Sequence, residues 1–181
     1  MTIENLKIKS KEVIGWLEKE YTGIRSGQAT PALLDGIKVS SYGSLVSLNQ
    51  VGSIGVEDAR TIRISPWDVG QINPIEQAIR EADLGLSVVT DGAGVRVIFP
   101  ELTSERRTQL LKLAKSKLED ARVSLRNTRD EVMKKLDKDE KAGEISEDEK
   151  FSQKESVQKI VDETNKSLDL MYQQKEVEIS K

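Results

Sequence analysis

The sequence predicts a two-domain α+β protein: an antiparallel three-helix bundle with a small α+β domain inserted into it, joined by a two-strand hinge. Three observations carry this. Residues 104–141 contain no Gly or Pro, and their apolar and small residues recur every three or four positions. Two shorter stretches near the ends of the chain repeat that pattern. Between the first of these and the long stretch, the pattern changes to short β-branched runs broken by turn residues.

The first segment, residues 2–26, carries Ile3, Leu6, Val13, Leu17, Tyr21 and Ile24 on one helical face, with Ser10 filling the gap and Gly27 as the stop. Gly15 beside Trp16 offers room for a close helix contact, although an ordinary packing face is the better explanation of the pair. From Ala29 onward, Ile37–Val39, Ser53–Val56 and Thr61–Ile64 read as strands, with a turn at Tyr42–Gly43. A single helix is expected after Asn73, with Asn73 as its cap, Pro74 in its first turn and Glu76 reaching back. Ile75, Ala78, Ile79 and Ala82 form its buried face, and Gly85 ends it. Leu86–Thr90 and Val95–Phe99 then form strands around the turn Asp91-Gly92-Ala93-Gly94.

The long stretch places Leu110, Ala114, Leu118, Ala121, Leu125, Thr128, Val132 and Leu136 on one face, with Ser104 as the expected cap and Gly143 past the end. Such a helix is roughly 57 Å long at about 1.5 Å per residue, too long for the interior of one compact globule. The last helix opens with a capping box, Ser146 closing on Glu149. Its stripe is Val157, Ile160, Val161, Thr164, Leu168 and Met171, with Val177 further on. The connection at 142–145 is short, so this helix must turn back along the long one. The expected domains are therefore 1–29 with 104–181, and 30–103. The chain crosses between them at Gln28, Ala29, Thr30, Pro31 and again at Pro100, Glu101, Leu102, Thr103, and two proline-containing crossings suit a hinge.

Composition narrows the chemistry. The 181 residues include no Cys and no His, which removes thiolate nucleophiles, the commonest general base and the commonest metal ligand. No catalytic residue, metal site or cofactor is expected. Glu147, Asp148 and Glu149 form a carboxylate run, but at a helix start they complement the dipole. The Asp91–Gly94 loop lacks the Lys and the following helix of a phosphate cradle. No apolar run approaches a membrane span and the N-terminus has no signal-peptide core, so a cytoplasmic protein without membrane association is expected.

Charge is uneven. Residues 104–141 carry twelve Lys/Arg against eight Asp/Glu, whereas 30–103 carry five against nine. At about 100° per residue, Lys115, Arg122, Arg126 and Arg129 share a narrow sector beside the apolar stripe. Such an edge suits bidentate contact with phosphates. Cations in this position also lay their stems over a helix seam and pair with carboxylates of the next helix, and spacing alone favours that role.

Several blocks, taken in order, add what spacing does not. They are Ile24-Arg25-Ser26-Gly27 with Ala29-Thr30-Pro31 and Leu33-Leu34-Asp35-Gly36; Tyr42-Gly43; Asp83-Leu84-Gly85-Leu86; Leu102-Thr103 with Glu105-Arg106-Arg107; and Ala121-Arg122-Val123 with Arg126-Asn127-Thr128-Arg129. With them the chain resembles the bacterial ribosome recycling factor family over essentially its whole length. The resemblance implies a hinged bundle and α+β domain. It also implies binding to the post-termination ribosome, and splitting of its subunits with elongation factor G and GTP, so that mRNA and tRNA leave. The bundle would lie on large-subunit ribosomal RNA, with the family's arginines falling on Arg126 and Arg129 and Arg122 on the same edge. The GTPase is then the partner's, so the chain is no enzyme, and it is expected to be a monomer. Two positions and one stretch depart from the family's usual pattern. Gln28 and Asp130 stand where arginines are usual, and Leu86-Ser87-Val88-Val89 lacks the usual Asn-Pro. A cytoplasmic coiled-coil adaptor that binds only protein is the alternative reading.

Overall fold

The long apolar stripes need partners, and each finds them. The computed structural model describes residues 2–181. Helix α1 spans Ile3–Thr22. A 3₁₀ turn at Pro31–Leu34 follows, then strands β1 (Lys38–Ser41) and β2 (Ser44–Ser47), the short helix α2 (Leu48–Val51), and strands β3 (Gly52–Asp58) and β4 (Thr61–Pro66). A second 3₁₀ turn (Val69–Gln71) leads into α3 (Ile72–Glu81), strands β5 (Ser87–Asp91) and β6 (Gly94–Ile98), and helices α4 (Ser104–Lys141) and α5 (Glu147–Ser180).

The described residues pack as two compact units, Met1–Tyr21 with Leu111–Glu176, and Thr22–Leu110 with Val177–Lys181. These bounds differ from the expected 29/30 and 103/104. Residues just after α1 and at the start of α4 hydrogen-bond within the second unit: Ala29 N–H donates to Ala59 O at 2.9 Å, and Arg107 donates to Lys181 O at 3.4 Å.

All of the stripe residues expected on α4 are buried, Leu110 in the second unit and the others in the first. Leu125, Val132 and Leu136 form one cluster with Leu6 of α1 and Val157 and Val161 of α5, and Val13, Leu17 and Leu168 are buried as well. Ion pairs fix the directions. Arg122, Asp137 and Glu140 of α4 pair with Asp169, Lys154 and Lys150, so numbers rise along one helix as they fall along the other. Tyr21 OH donates to Ala114 O at 2.9 Å and Lys117 pairs with Glu20, so α1 is also antiparallel to α4. Burial raises the Tyr21 phenol to about 12, helped by nearby Tyr172 and opposed by Arg122. Ser10, Thr128 and Thr164 form buried polar positions, one per helix; the two threonines return their hydroxyls to the carbonyls of Ser124 and Ile160.

The helix ends show what sequence cues resolve and what they miss. The α5 capping box forms, with Glu149 N–H donating to Ser146 Oγ and Ser146 N–H to Glu149. Gly143 ends α4 at φ +75°, its N–H donating to Glu140 O and that of Glu144 to Asp139 O, which is the Schellman arrangement. The start of α4 is capped by Thr103, whose Oγ1 accepts from Arg106 N–H, and not by Ser104. Helix α1 stops at Thr22, so Ile24 is buried outside the helix and Gly27 is not its stop. Gly15 makes no close contact, because a Cβ there would meet nothing within 4 Å. Val177 is 52% exposed and Ile179 is buried instead.

In the second unit, β3-β4-β6-β5 form one antiparallel sheet and β1-β2 a separate hairpin. Two-residue periodicity turns Ile62, Ile64, Val95 and Val97 inward, where α3 covers them with Ile72, Ile75 and Ile79. Arg63 and Arg96 face outward, forked onto Asp91 and Glu57. Tyr42 and Gly43 have φ of +48° and +84°, the primed hairpin turn that suits the twist of two strands. The expected single helix is joined by α2 and the 3₁₀ turns. Asn73 lies inside α3 rather than capping it, because Asp68 caps the preceding 3₁₀ turn and Glu76 turns to Arg80.

Gly94 is required by close approach. A Cβ there would lie 2.4 Å from Ile64 O, whereas one at Gly55 meets nothing within 4 Å. Gly94→Ala should therefore cost about 1–3 kcal/mol in chemical denaturation, and Gly55→Ala close to nothing. The pH dependence is set by carboxylates. Asp91 is held far below the usual carboxylate range by Arg63 and by the Ala93 and Gly94 N–H groups, and Glu57 is lowered by Arg96. With folded values depressed, their stabilisation is present at neutral pH and lost as pH falls through those values. A thermal melt series from pH 7 to pH 2 should show decreasing stability, and Asp91→Asn should flatten the acid side of that curve.

Candidate nucleic-acid interface

The geometry of the arginine edge follows from α4 being unbroken. With no Gly or Pro and both ends capped, 38 residues keep one helical phase, so positions 122, 126 and 129 rise along one side over two turns. Arg122, Arg126 and Arg129 line a single groove of about 350 Å³ between α4 and α5, with Glu119, Leu125, Val161 and Asn165 completing it. Lys115 does not line it. It lies about 10 Å away along the axis, at 1.5 Å per residue, exposed and with no ion pair among the described residues.

Each arginine is already near a carboxylate. Arg122 sits 2.5 Å from Asp169 on α5 and 3.6 Å from Glu119 on its own helix. Arg126 lies 3.7 Å from Glu119, and Arg129 donates Nε and Nη2 to Asp130 at 2.9 and 2.7 Å. The seam-covering arrangement is thus realised in one case, Arg122, whose pair spans the two helices. Arg126 and Arg129 stay on α4, with side chains 55% and 33% exposed. Pairs this open to water contribute only about 0–1 kcal/mol each, so a phosphate oxygen can compete for the same forks at little cost. Spacing gave no access to Asn165, Val161 and Asp169, since they reach the groove only through the register of α5 on α4.

The opposite side of α4 differs. Between α1 and α4 a second groove, about 370 Å³, is lined by Lys9, Glu12, Val13, Trp16, Asp120, Ala121 and Ser124. Its charges are mixed, and Lys117 lies 5.7 Å from the Trp16 ring centroid while pairing with Glu20 at 2.8 Å. Among the described residues, no group of three or more carboxylates gathers as a metal site, and no helix is long and apolar enough to cross a membrane.

Comparison with known proteins identifies the lineage. The sequence model of the family described as "Ribosome recycling factor" matches residues 17–179. The chain belongs to the ribosome recycling factor family. A ribosome-recycling factor of Chlorobium phaeovibrioides is 42% identical over 177 residues, covering 98% of this chain and 95% of the relative. A solution structure of the ribosome recycling factor superposes with TM-score 0.81 at 36% identity, covering 98% of this chain and 94% of that one. A second structure, 37% identical with TM-score 0.66 and 99% coverage of both chains, describes the T. thermophilus ribosome recycling factor and the E. coli elongation factor G bound to the E. coli post-termination complex. The helical bundle with an α+β part is the architecture of this family.

The weakness of these pairs can be measured directly. Asp169→Asn and Arg126→Ala should each change unfolding free energy by less than about 1 kcal/mol. Leu125→Ala, in the core directly beneath the groove, should cost about 2–5 kcal/mol. A large loss for Arg126→Ala in chemical denaturation would make that arginine structural.

Proposed function

We propose that this chain recycles ribosomes: it binds the post-termination ribosome and, with elongation factor G and GTP, promotes splitting into subunits and release of mRNA and tRNA. Family membership supports the role, and the related factor bound to a post-termination complex with elongation factor G supports the choice of partners. The observation that carries the molecular reading is the groove at which Arg122, Arg126 and Arg129 converge. In this reading the bundle lies on large-subunit ribosomal RNA. The three forks take backbone phosphates, exchanging screened carboxylates for charge-assisted bidentate bonds, and Lys115 extends the cationic edge. The chain holds no catalytic group for the reaction; nucleotide hydrolysis belongs to the partner. It works as a cytoplasmic monomer.

The second component is reorientation. The α+β part, residues 30–103 included, moves as a body relative to the bundle about the chain segments that connect the two. A protein-only adaptor accounts for the long helices but gives no role to a groove with three arginines.

Salt dependence and mutation together test the reading. Arg126→Ala and Arg129→Ala should weaken ribosome binding with little loss of stability. Each should also make the slope of log affinity against log salt shallower by about one counterion. Arg129→Lys should recover only part of the loss, because the fork is gone. Asp130→Arg should tighten binding by freeing Arg129 and adding a cation. Unchanged affinity across this set would remove the arginine edge from the interface. Failure to split subunits with elongation factor G and GTP would end the recycling reading itself.

A further inference from the structure

The crossings from which the sequence predicts a hinge are fastened. Ala29 donates to Ala59 O at 2.9 Å and Phe99 to Arg60 O at 2.8 Å, so the incoming and outgoing segments both hang on the β3–β4 turn. Arg60 also pairs with Glu101 at 2.8 Å. Pro31 begins a 3₁₀ turn whose Leu33 and Leu34 are in the core of this unit.

One side chain joins the two segments to each other. Arg25 lies on the incoming segment. Its Nη1 donates to Gly85 O at 2.7 Å, its Nη2 to Pro100 O on the outgoing segment, and its Nε to Ser26 O at 3.2 Å. The guanidinium carbon sits 5.8 Å from the ring centroid of Phe99, a core residue. Gly85, at φ +69°, turns its carbonyl toward this fork. No carboxylate pairs with Arg25 among the described residues. Burial and the neighbouring Arg106 together hold its pKa below the ordinary arginine value. Partly burying a cation among neutral acceptors costs desolvation, so its return is geometric. A rigid planar fork reaches carbonyls on three separate segments at once, which a lysine ammonium on a flexible stem does not. The arginines of the α4 edge differ, because each of them has a carboxylate and points into a groove.

We infer that Arg25 is a positioning residue that clasps both crossings to the α+β unit, so that Gln28, Ala29, Thr30, Pro31, Pro100 and Glu101 move with that unit. Reorientation then takes place outside the clasped segments, and the moving body is wider than 30–103. The consequence for recycling rests on the reading proposed above; the clasp itself does not.

Hydrogen exchange on the full chain, comparing wild type with Arg25→Ala and Arg25→Lys, tests it. Protection at the Ala29 and Phe99 amides should fall roughly tenfold or more in both variants. The amides of Ile62 and Ile64 in the sheet, and of Leu125 and Val157 in the bundle, should keep wild-type protection. Wild-type protection at Ala29 and Phe99 in both variants overturns the clasp. So does full recovery by Arg25→Lys, which would make charge over the Phe99 ring the operative feature. An equal loss at every amide, sheet and bundle included, also overturns it. Arg25→Lys keeps stem and charge, so it provides the measurement if Arg25→Ala does not fold. On ribosomes, the unclasped variants should bind with wild-type affinity and split subunits several-fold more slowly. If wild type itself does not split them, the recycling reading fails while the exchange result stands.

Discussion

Everything in the first unit depends on one aliphatic seam along α4. The chain has only 4% aromatic residues, and Tyr21 is the one large ring buried on α1. The stripe from Ala114 to Leu136 must stay in phase over many turns while α1 and α5 pack on either side of it. A helix holds that phase only if nothing interrupts its hydrogen-bond ladder. The Gly- and Pro-free run, the Thr103 cap and the Gly143 terminator are therefore prerequisites of the core as well as local features. Because the stripe is narrow, the residues at its margins are half-exposed. That is where the chain carries its cations, with hydrocarbon stems over the seam and charged heads in water.

The two margins of α4 are chemically distinct. On the α5 side three arginines converge on a groove, and on the α1 side the groove lining mixes Lys9 with Glu12 and Asp120 around Trp16. Carboxylates stand within 3.7 Å of all three arginines, but these pairs are open to solvent and each contributes little. They do hold the forks in place when nothing is bound. Asp130 takes up two of the donors of Arg129, so the residue that follows this arginine has a direct electrostatic consequence in the fold.

The α+β unit solves a different problem, closing a small core around a four-stranded sheet and a helix of ten residues. Its solvent face is a set of forked Arg–carboxylate pairs, and its backbone approaches are close enough to demand glycine at position 94. The same unit captures the chain segments that enter and leave it. Proline in a crossing thus stiffens the backbone and starts a turn, and does not by itself mark a flexible joint.

Periodicity alone determined the helical architecture, because a 3.6-residue repeat reports burial within a single element: the stripe residues of α4 from Leu110 to Leu136 are all buried, and the capping box at Ser146 forms as written. Local turn chemistry likewise made Tyr42–Gly43 and the hairpin around Asp91 legible. The ends of elements were less so. Thr103 and Ser104 are both competent caps, and only the backbone path after Leu102 selects Thr103; Ile24 continues the arithmetic of α1 but leaves the helix when the chain turns at Thr22. The arginine sector was readable as an edge, since it depends on α4 alone. That this edge is a groove, with Asp169 and Asn165 opposite, depends on the register of α5, and registry between helices is set by packing across the seam. The capture of both crossings by Arg25 was beyond the sequence for the same reason. Gly85, Pro100 and Ser26 are brought to one guanidinium only by the fold, and no spacing rule relates residues sixty and seventy-five positions apart.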